Sequence, residues 1–111
     1  MRTVLSSRHI PLESLFKALA DPIRRSLIET LAKQEYFCTF EDKRVDGICV
    51  QDLTKLLDLP QSTISRHLAI LRQAGLVGHK QNGVWHYYFI NQDALTEIRS
   101  WLDVLTDVGR T

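Results

Sequence analysis

The stretch LPQSTISRHLAILRQAGLV, residues 59–77, decides the fold of this chain. Apolar residues recur in it at helical spacing, so one face of a helix over residues 61–74 is predicted to pack against a core: Ile64, Leu68 and Leu71. Gly75 comes next, and glycine readily adopts the left-handed conformation that ends a helix. Polar side chains crowd the beginning of this helix, and we expect them to contact something outside the chain.

Helices are also predicted on the N-terminal side of this stretch. The segment VQDLTKLL (50–57) is a short helix, and only residues 58–60 separate it from the next one. Two helices joined by so short a turn are typical of a helix-turn-helix, whose second helix enters the major groove of DNA. Two earlier helices are expected over residues 11–20 and 22–34, with Asp21 as the N-cap of the second.

On the C-terminal side the hydrophobic pattern changes. Residues 76–90 contain the dipeptide Asn82-Gly83, which is typical of a type I′ turn, and they predict a β-hairpin. A broad apolar stripe predicts a final helix over about residues 92–108, whereas residues 35–48 indicate a loop or a short hairpin. The expected fold is mainly α with a β-hairpin wing, a winged helix-turn-helix that forms a single domain over residues 1–111.

Polar residues of the second helix and of the hairpin tip are candidate DNA contacts. Hydroxyls and N-terminal amides suit phosphate oxygens, whereas Gln61 and Arg66 are long enough to reach base edges. Taken alone, these residues also fit a Ser/Thr-rich N-cap on a surface helix, but the flanking turn and hairpin favour DNA. The candidates are Gln61, Ser62, Thr63, Ser65, Arg66 and His67 in the helix, and Lys80, Gln81 and Asn82 in the hairpin.

Length and charge narrow the class of protein. The 111 residues have a net charge of +1, yet the stretch from Arg66 to Lys80 has three basic residues, two histidines and no acid. Local charge of this kind attracts phosphate even when the net charge is small. No signal peptide, membrane span or enzyme motif is expected, and the predicted protein is therefore cytoplasmic and not an enzyme.

Three segments of the chain strongly resemble the ArsR/SmtB family of bacterial transcriptional repressors: FKALADPIRRSLIETLAK (16–33), VQDLTKLLDLPQSTISRHLAILRQAGLV (50–77) and GVWHYYFIN (83–91). The resemblance implies a homodimer that binds double-stranded DNA at a pseudo-palindromic operator, represses transcription and is released by an inducer. It also implies a dimer interface between the first and last helices. The residues expected there are Leu12, Leu15, Ile98, Trp101, Leu105 and Val108, although the last helix could instead close the core of one chain.

Members of this family that sense metals usually have ligands at one of two places, and this chain departs from both patterns. The Cys-x-Cys of the third helix is here Cys49-Val50-Gln51, and the final helix has carboxylates but no histidine. A metal site made by either pattern is not expected, and no cofactor is assigned.

Cys38 and Cys49 flank the 35–48 insert and leave the inducer open. Their oxidation or modification could shift the helix-turn-helix that begins directly after Cys49. They could instead bind a soft metal ion with His9, or have no sensing role. A wider alternative is a winged helix used for protein contacts, which predicts DNA binding without sequence preference.

Overall fold

The computed structural model describes residues 10–33, 38–40, 43–45 and 47–108. For residues 38–40, 43–45, 82 and 108 it describes the backbone but not the side chains. Within the described residues the chain has five helices and five strands. The helices are α1 (Leu12–Leu19), α2 (Pro22–Ala32), α3 (Val50–Leu57), α4 (Gln61–Ala74) and α5 (Gln92–Val108). The strands are β1 (Cys38–Phe40), β2 (Lys43–Val45), β3 (Ile48–Cys49), β4 (Val77–Asn82) and β5 (Trp85–Ile90). The predicted fold of four helices, a hairpin and a fifth helix is confirmed.

Two small antiparallel sheets accompany the helices. The wing is the hairpin β4–β5, and β3 adds a third strand to it, in the order β3-β5-β4, with Cys49 opposite Tyr87. Strands β1 and β2 pair with each other, so part of the insert forms a short hairpin. The sequence did not predict β3, because two residues are too few to establish an alternating pattern.

The turn of the wing differs from the predicted one. Asn82 pairs with Trp85, so the two-residue loop is Gly83-Val84 rather than Asn82-Gly83. Gly83 has a φ of +63°. In the described part of the chain, Asp58 is the one residue other than glycine with a positive φ, so the φ of Val84 is not positive. A glycine with positive φ at the first loop position followed by an ordinary residue is typical of a type II′ turn, so the type I′ prediction is wrong.

The core joins all five helices to the base of the wing. Leu15 of α1, Leu27 of α2 and Leu53 of α3 surround α4, whose predicted core residues Ile64, Leu68 and Leu71 are fully buried. The apolar residues of α4 therefore fix which side of this helix faces outward. No helix in the described ranges is long and apolar enough to cross a membrane.

Asn91 connects the end of α4 with the beginning of α5. Gly75 ends α4 with a φ of +92°, and Asn91 Nδ2 donates a 2.8 Å hydrogen bond to the Gly75 carbonyl oxygen. The backbone N–H of Asn91 donates to the Leu76 carbonyl, and the Asn91 side-chain oxygen accepts from the N–H of Asp93. One residue thus closes the base of the wing and caps the first turn of α5.

Candidate nucleic-acid interface

The N-terminal end of α4 is polar and largely exposed. Its N-cap is Pro60, with φ −59° and ψ 148°, and no side chain caps its first amides. The hydroxyls of Ser62 and Thr63 are therefore not used for capping, which removes the ordinary explanation for a Ser/Thr-rich helix start. The unsatisfied amides and the positive end of the helix dipole both favour an anion at this end.

Four of the six predicted DNA contacts on α4 lie at the surface. Gln61, Ser62, Ser65 and Arg66 are exposed, and Thr63 is half-buried. Because the opposite face of α4 is held in the core, these side chains project from one end of a fixed helix. That is the arrangement a helix needs to place side chains against base edges.

His67 does not belong with these residues. Its side chain is buried, with 5% of its surface exposed, and its Nδ1 atom lies 3.3 Å from Nη1 of Arg24. A guanidinium group only donates hydrogen bonds, so Nδ1 of His67 accepts this one. His67 therefore faces α2 instead of solvent, and its predicted DNA contact is corrected to a contact inside the fold.

Arg24 also holds the junction between α1 and α2. Its Nε atom donates a 2.5 Å hydrogen bond to the carbonyl of Ala18, and Nη2 donates to the carbonyl of Lys17. Asp21, the predicted N-cap of α2, accepts from the backbone N–H groups of Ile23 and Arg24 at 2.8 and 3.1 Å. The hydrogen bond from the Arg24 backbone is the main cause of a lowered pKa for the Asp21 carboxyl. One arginine therefore connects α1 and α2 to α4.

The wing places its predicted contacts near its tip. Lys80 and Gln81 are exposed, and the side chain of Gln81 donates a 3.1 Å hydrogen bond to the Gly83 carbonyl. The Lys80 ammonium lies 5.4 Å from the centre of the Phe89 ring, within the range of a cation–π contact. The side chain of Asn82 lies outside the described part of the chain. Val84, with 83% of its surface exposed, stands at the tip itself.

A groove with a volume of about 280 Å³ runs between α4 and the wing. The residues that line it come from three elements and include Gln51 of α3, Gln61 and Ser65 of α4, and Val84, His86 and Tyr88 of the wing. The sequence analysis missed His86 and Tyr88 as site residues. The alternation of WHYYFI places both on the same face of β5, but it does not show that this face lies toward α4.

His86 is paired with a second histidine across the wing. Nε2 of His79 lies 2.6 Å from Nδ1 of His86, and their ring centres are 4.9 Å apart. The Tyr88 ring lies 5.0 Å from His79 on the same face. Burial lowers the pKa of His79, and the nearby charges of Arg72 and His86 lower it further.

A separate apolar surface covers the junction of α1 and α5. Phe16 and Trp101 are each 40% exposed, and three residues farther along α5 are more exposed: Leu102 at 47%, Leu105 at 52% and Val104 at 61%. We call these five residues the apolar patch. Phe16 was missed by the sequence analysis because it shares the helical spacing of buried neighbours.

Of the predicted dimer residues, Trp101 and Leu105 lie in the apolar patch. Leu15 is fully buried inside the chain, so its predicted place in the interface is corrected to the core. Leu12 and Ile98 are half-buried and pack against that core. The side chain of Val108 lies outside the described residues.

The two cysteines occupy different sheets. Cys49 ends β3, is 5% exposed, and is the N-cap residue of α3. Cys38 lies in β1, where its backbone pairs with Val45, and its side chain is outside the described part, as is His9. In the described ranges, no three His, Cys, Asp or Glu side chains come close enough to hold a metal ion.

Comparison with known proteins agrees with this geometry. Residues 48–78 match the family described as bacterial regulatory protein, arsR family. The HTH-type transcriptional regulator MJ1325 of Methanocaldococcus jannaschii is 35% identical over 91 residues, which cover 82% of this chain and 90% of that protein. The arsenical resistance operon repressor of Bacillus subtilis is 33% identical over 88 residues, covering 79% of this chain and 73% of the repressor.

Solved structures are similar over most of the chain. HlyU from Vibrio cholerae has a TM-score of 0.61 at 25% identity, and the matched region covers 90% of this chain and 92% of the HlyU chain. The homodimeric winged helix-turn-helix DNA-binding domain of Mb0332 from Mycobacterium bovis has a TM-score of 0.61 at 23% identity, over 86% and 78% of the two chains. From its fold, its exposed helix-turn-helix and these relatives, we conclude that the chain belongs to the ArsR family of DNA-binding transcriptional regulators.

Proposed function

We propose that this regulator is a repressor that binds a pseudo-palindromic operator as a homodimer, with α4 in the major groove and the wing beside it. The observation that carries the proposal is the uncapped, exposed N-terminal end of α4, held in place by the buried face of the same helix. The arsenical resistance operon repressor of Bacillus subtilis, to which the chain is similar, supports repression as the outcome.

Base and phosphate contacts divide between different residues of this end. Arg66 and Gln61 are exposed and long enough to reach base edges, and arginine commonly pairs with guanine through two hydrogen bonds. Ser62, Ser65 and the first amides of α4 suit phosphate oxygens, which fix the position of the helix without reading the sequence. Lys80, Gln81 and Asn82 of the wing contact the neighbouring backbone or minor groove.

The apolar patch is the surface on which two chains meet. Exposed aromatic and aliphatic side chains that adjoin one another are typical of protein interfaces. A two-fold dimer then places two copies of α4 about 34–36 Å apart, one helical turn of DNA, so the operator has two related half-sites. The homodimeric domain of Mb0332 has the same fold and supports this arrangement.

Fluorescence anisotropy with DNA from upstream of the protein's own gene tests the proposal. We expect saturable binding to a fragment with inverted half-sites and at least about 1,000-fold weaker binding to a scrambled duplex of equal length. Equal affinity for both duplexes would contradict operator recognition and would favour a winged helix used for protein contacts. Sedimentation velocity of the free protein measures directly whether it is a dimer.

We infer further that the inducer acts on the segment before α3. Cys49 is the N-cap residue of that helix, so a change at its sulfur would displace the first turn of the helix-turn-helix. Oxidation or modification of Cys38 and Cys49 is the proposed signal, and a soft metal ion bound by the same thiols is the alternative. Binding measured under reducing conditions, after mild oxidation with chelator, and with added zinc or arsenite separates the two.

As a regulator, the protein would act on the chromosome in the cytoplasm and have no catalytic step. Operator binding that stays the same under reducing conditions, after mild oxidation and with added zinc or arsenite would mean that the inducer uses another site.

A further inference from the structure

The wall of the groove contains His86, which forms a pair with His79 that the proposed DNA contacts do not use. His79 and His86 lie diagonally across the hairpin and are joined by the 2.6 Å contact between Nε2 and Nδ1. His86 lines the groove, opposite Gln61 and Ser65 at the beginning of α4. It therefore faces the same helix end that the proposed function places in the major groove.

The shape of a winged helix on DNA determines what enters this groove. When α4 lies in the major groove and the wing lies at the adjacent minor groove, the sugar–phosphate strand that separates the two grooves passes between them. The space between Ser65 and His86 is the space between these two elements. A backbone phosphate is accordingly the group expected to approach His86.

The described residues around the groove are mostly neutral. Gln51 comes from α3, Gln61 and Ser65 come from α4, and Tyr88 comes from β5. Tyrosine ionises near pH 10, whereas histidine changes its charge between about pH 5 and 8. Among these described groups, His86 is thus the one that can become a cation near neutral pH.

The contact between the histidines decides where an added proton resides. The hydrogen bond uses Nδ1 of His86, so a ligand in the groove meets its Nε2 atom. One proton added to the pair keeps this hydrogen bond, with His86 Nδ1–H donating to His79 Nε2 and His86 Nε2–H directed to the ligand. Burial and the charge of Arg72 oppose a cation on His79, whereas His86 lines the groove, where a phosphate would neutralise the charge.

We propose that His86, held in position by His79, binds a backbone phosphate of the operator, and that the pair takes up one proton when it does so. This inference rests on the proposed function and adds a wing contact whose strength depends on pH. A divalent cation at the same two nitrogens is disfavoured, because Arg72 lies close enough to affect His79 and the described residues provide no third ligand.

The direction in which operator affinity changes with pH follows from the positive charge of a protonated histidine. Protonated His86 attracts phosphate, so operator affinity rises as the pH falls from about 8.5 to about 6. This proton-linked contact is expected to raise operator affinity by about tenfold per protomer between the two pH values. The salt dependence of binding is steeper at the lower pH, by about one released counterion per protomer.

Anisotropy titrations with the full chain, in chelator and at constant ionic strength, test this at both pH values. His86→Gln keeps a polar side chain but cannot take up a proton, so its affinity is expected not to vary with pH. His86→Arg has a fixed charge and is expected to bind at the higher pH as tightly as the wild type does at the lower one. Lys80→Ala, on the other face of the wing, should weaken binding equally at both pH values.

The imidazole resonances of the wild type give a second readout that does not depend on any variant folding. Titrated by NMR with and without operator, His86 is expected to show a higher protonation midpoint in the complex. An unchanged midpoint, or a His86→Gln protein that keeps the wild-type pH dependence, would overturn the inference. Operator-specific binding that is equal at both pH values would overturn it alone, whereas equal binding to unrelated DNA at every pH would contradict the proposed function itself.

Discussion

The rings of Phe16 and Trp101 meet edge to face, with their centres 5.3 Å apart and their planes inclined by 66°. This contact joins α1 to α5 at the chain surface, where both side chains remain 40% exposed. Aromatic pairs in this geometry contribute about 0.5–1.5 kcal/mol beyond the burial of their area. The pair therefore adds to the core contacts of Ala94, Leu95 and Ile98 that hold α5 against the rest of the chain.

Replacing Trp101 with glutamate should dissociate the proposed dimer. The substitution removes the aromatic contact and places an unpaired carboxylate at an apolar interface, at a cost of about 3 kcal/mol or more per copy. The two copies in a dimer together lose about 6 kcal/mol, which corresponds to a rise of about ten-thousandfold or more in the dimer dissociation constant. Sedimentation velocity over a range of concentrations measures it, and an unchanged dimer would show that the interface lies elsewhere.

Leu56→Glu is the matched control for that variant. Leu56 lies on α3, outside the apolar patch, and at 41% it is as exposed as Trp101. The same change from an apolar to a charged side chain there should leave the sedimentation coefficient of the dimer unaltered.

Arg66→Ala should weaken operator binding by about 1–3 kcal/mol and relax the preference at one base position of each half-site. The exposed Arg66 is free of the core, so the fold should be unaffected. Competition titrations with operators changed at single positions measure both effects. Arg99→Ala, which removes the same charge from exposed α5, is expected to bind like the wild type, and equal behaviour of the two variants would exclude Arg66 from base recognition.

Arg24→Ala should destabilise the fold by about 1–3 kcal/mol, because it leaves the carbonyl of Ala18 and the buried Nδ1 of His67 without their donor. Urea unfolding followed by circular dichroism measures the loss. The side chain of the adjacent Arg25 is exposed and donates a hydrogen bond to the Leu19 carbonyl. Arg25→Ala should therefore change stability by no more than about 0.5 kcal/mol.

The Asp21 cap should make part of the free energy of unfolding depend on pH. Its folded-state pKa lies below the ordinary value of 3.8, mainly because the ionised carboxylate accepts the backbone N–H of Arg24. A lowered pKa stabilises the fold above 3.8, and this contribution is lost as the pH falls through the folded-state value. Asp21→Asn keeps a good N-cap without the charge. Its melting temperature should be lower than that of the wild type at pH 6, and the difference should shrink below pH 3.8.

The helices were predictable because each has strong local signals. The bounds of α3 and α4 follow from apolar spacing and from Gly75, and Asp21 marks the beginning of α2. The turn of the wing was misplaced because the residues of Asn82-Gly83 suit a type I′ turn, whereas the register of β4 against β5 shifts the loop by one residue. Register depends on contacts across the whole hairpin, which the dipeptide does not report.

The candidate site was predictable in part for a related reason. The exposed end of α4 follows from local spacing. The inward orientation of His67 involves a contact with Arg24, which is 43 residues away in the chain. The proximity of His86 to Ser65 is likewise set by how the wing packs on the helix. Contacts between distant segments are fixed by tertiary structure, and a single sequence contains no direct record of them.

The two ends of the wing differ in how much change they can tolerate. A residue inserted on either side of Asn91 would break one of the two contacts that its side chain makes, with the Gly75 carbonyl at the end of α4 or with the N–H of Asp93 at the start of α5. At the tip, by contrast, Val84 has 83% of its surface exposed, whereas its neighbour Gly83 is held in place by its positive φ of +63°. Position 84 is therefore the place to attach a fluorophore that reports the approach of the wing to DNA, and the bend at Asn91 is where a linker or tag should not be inserted.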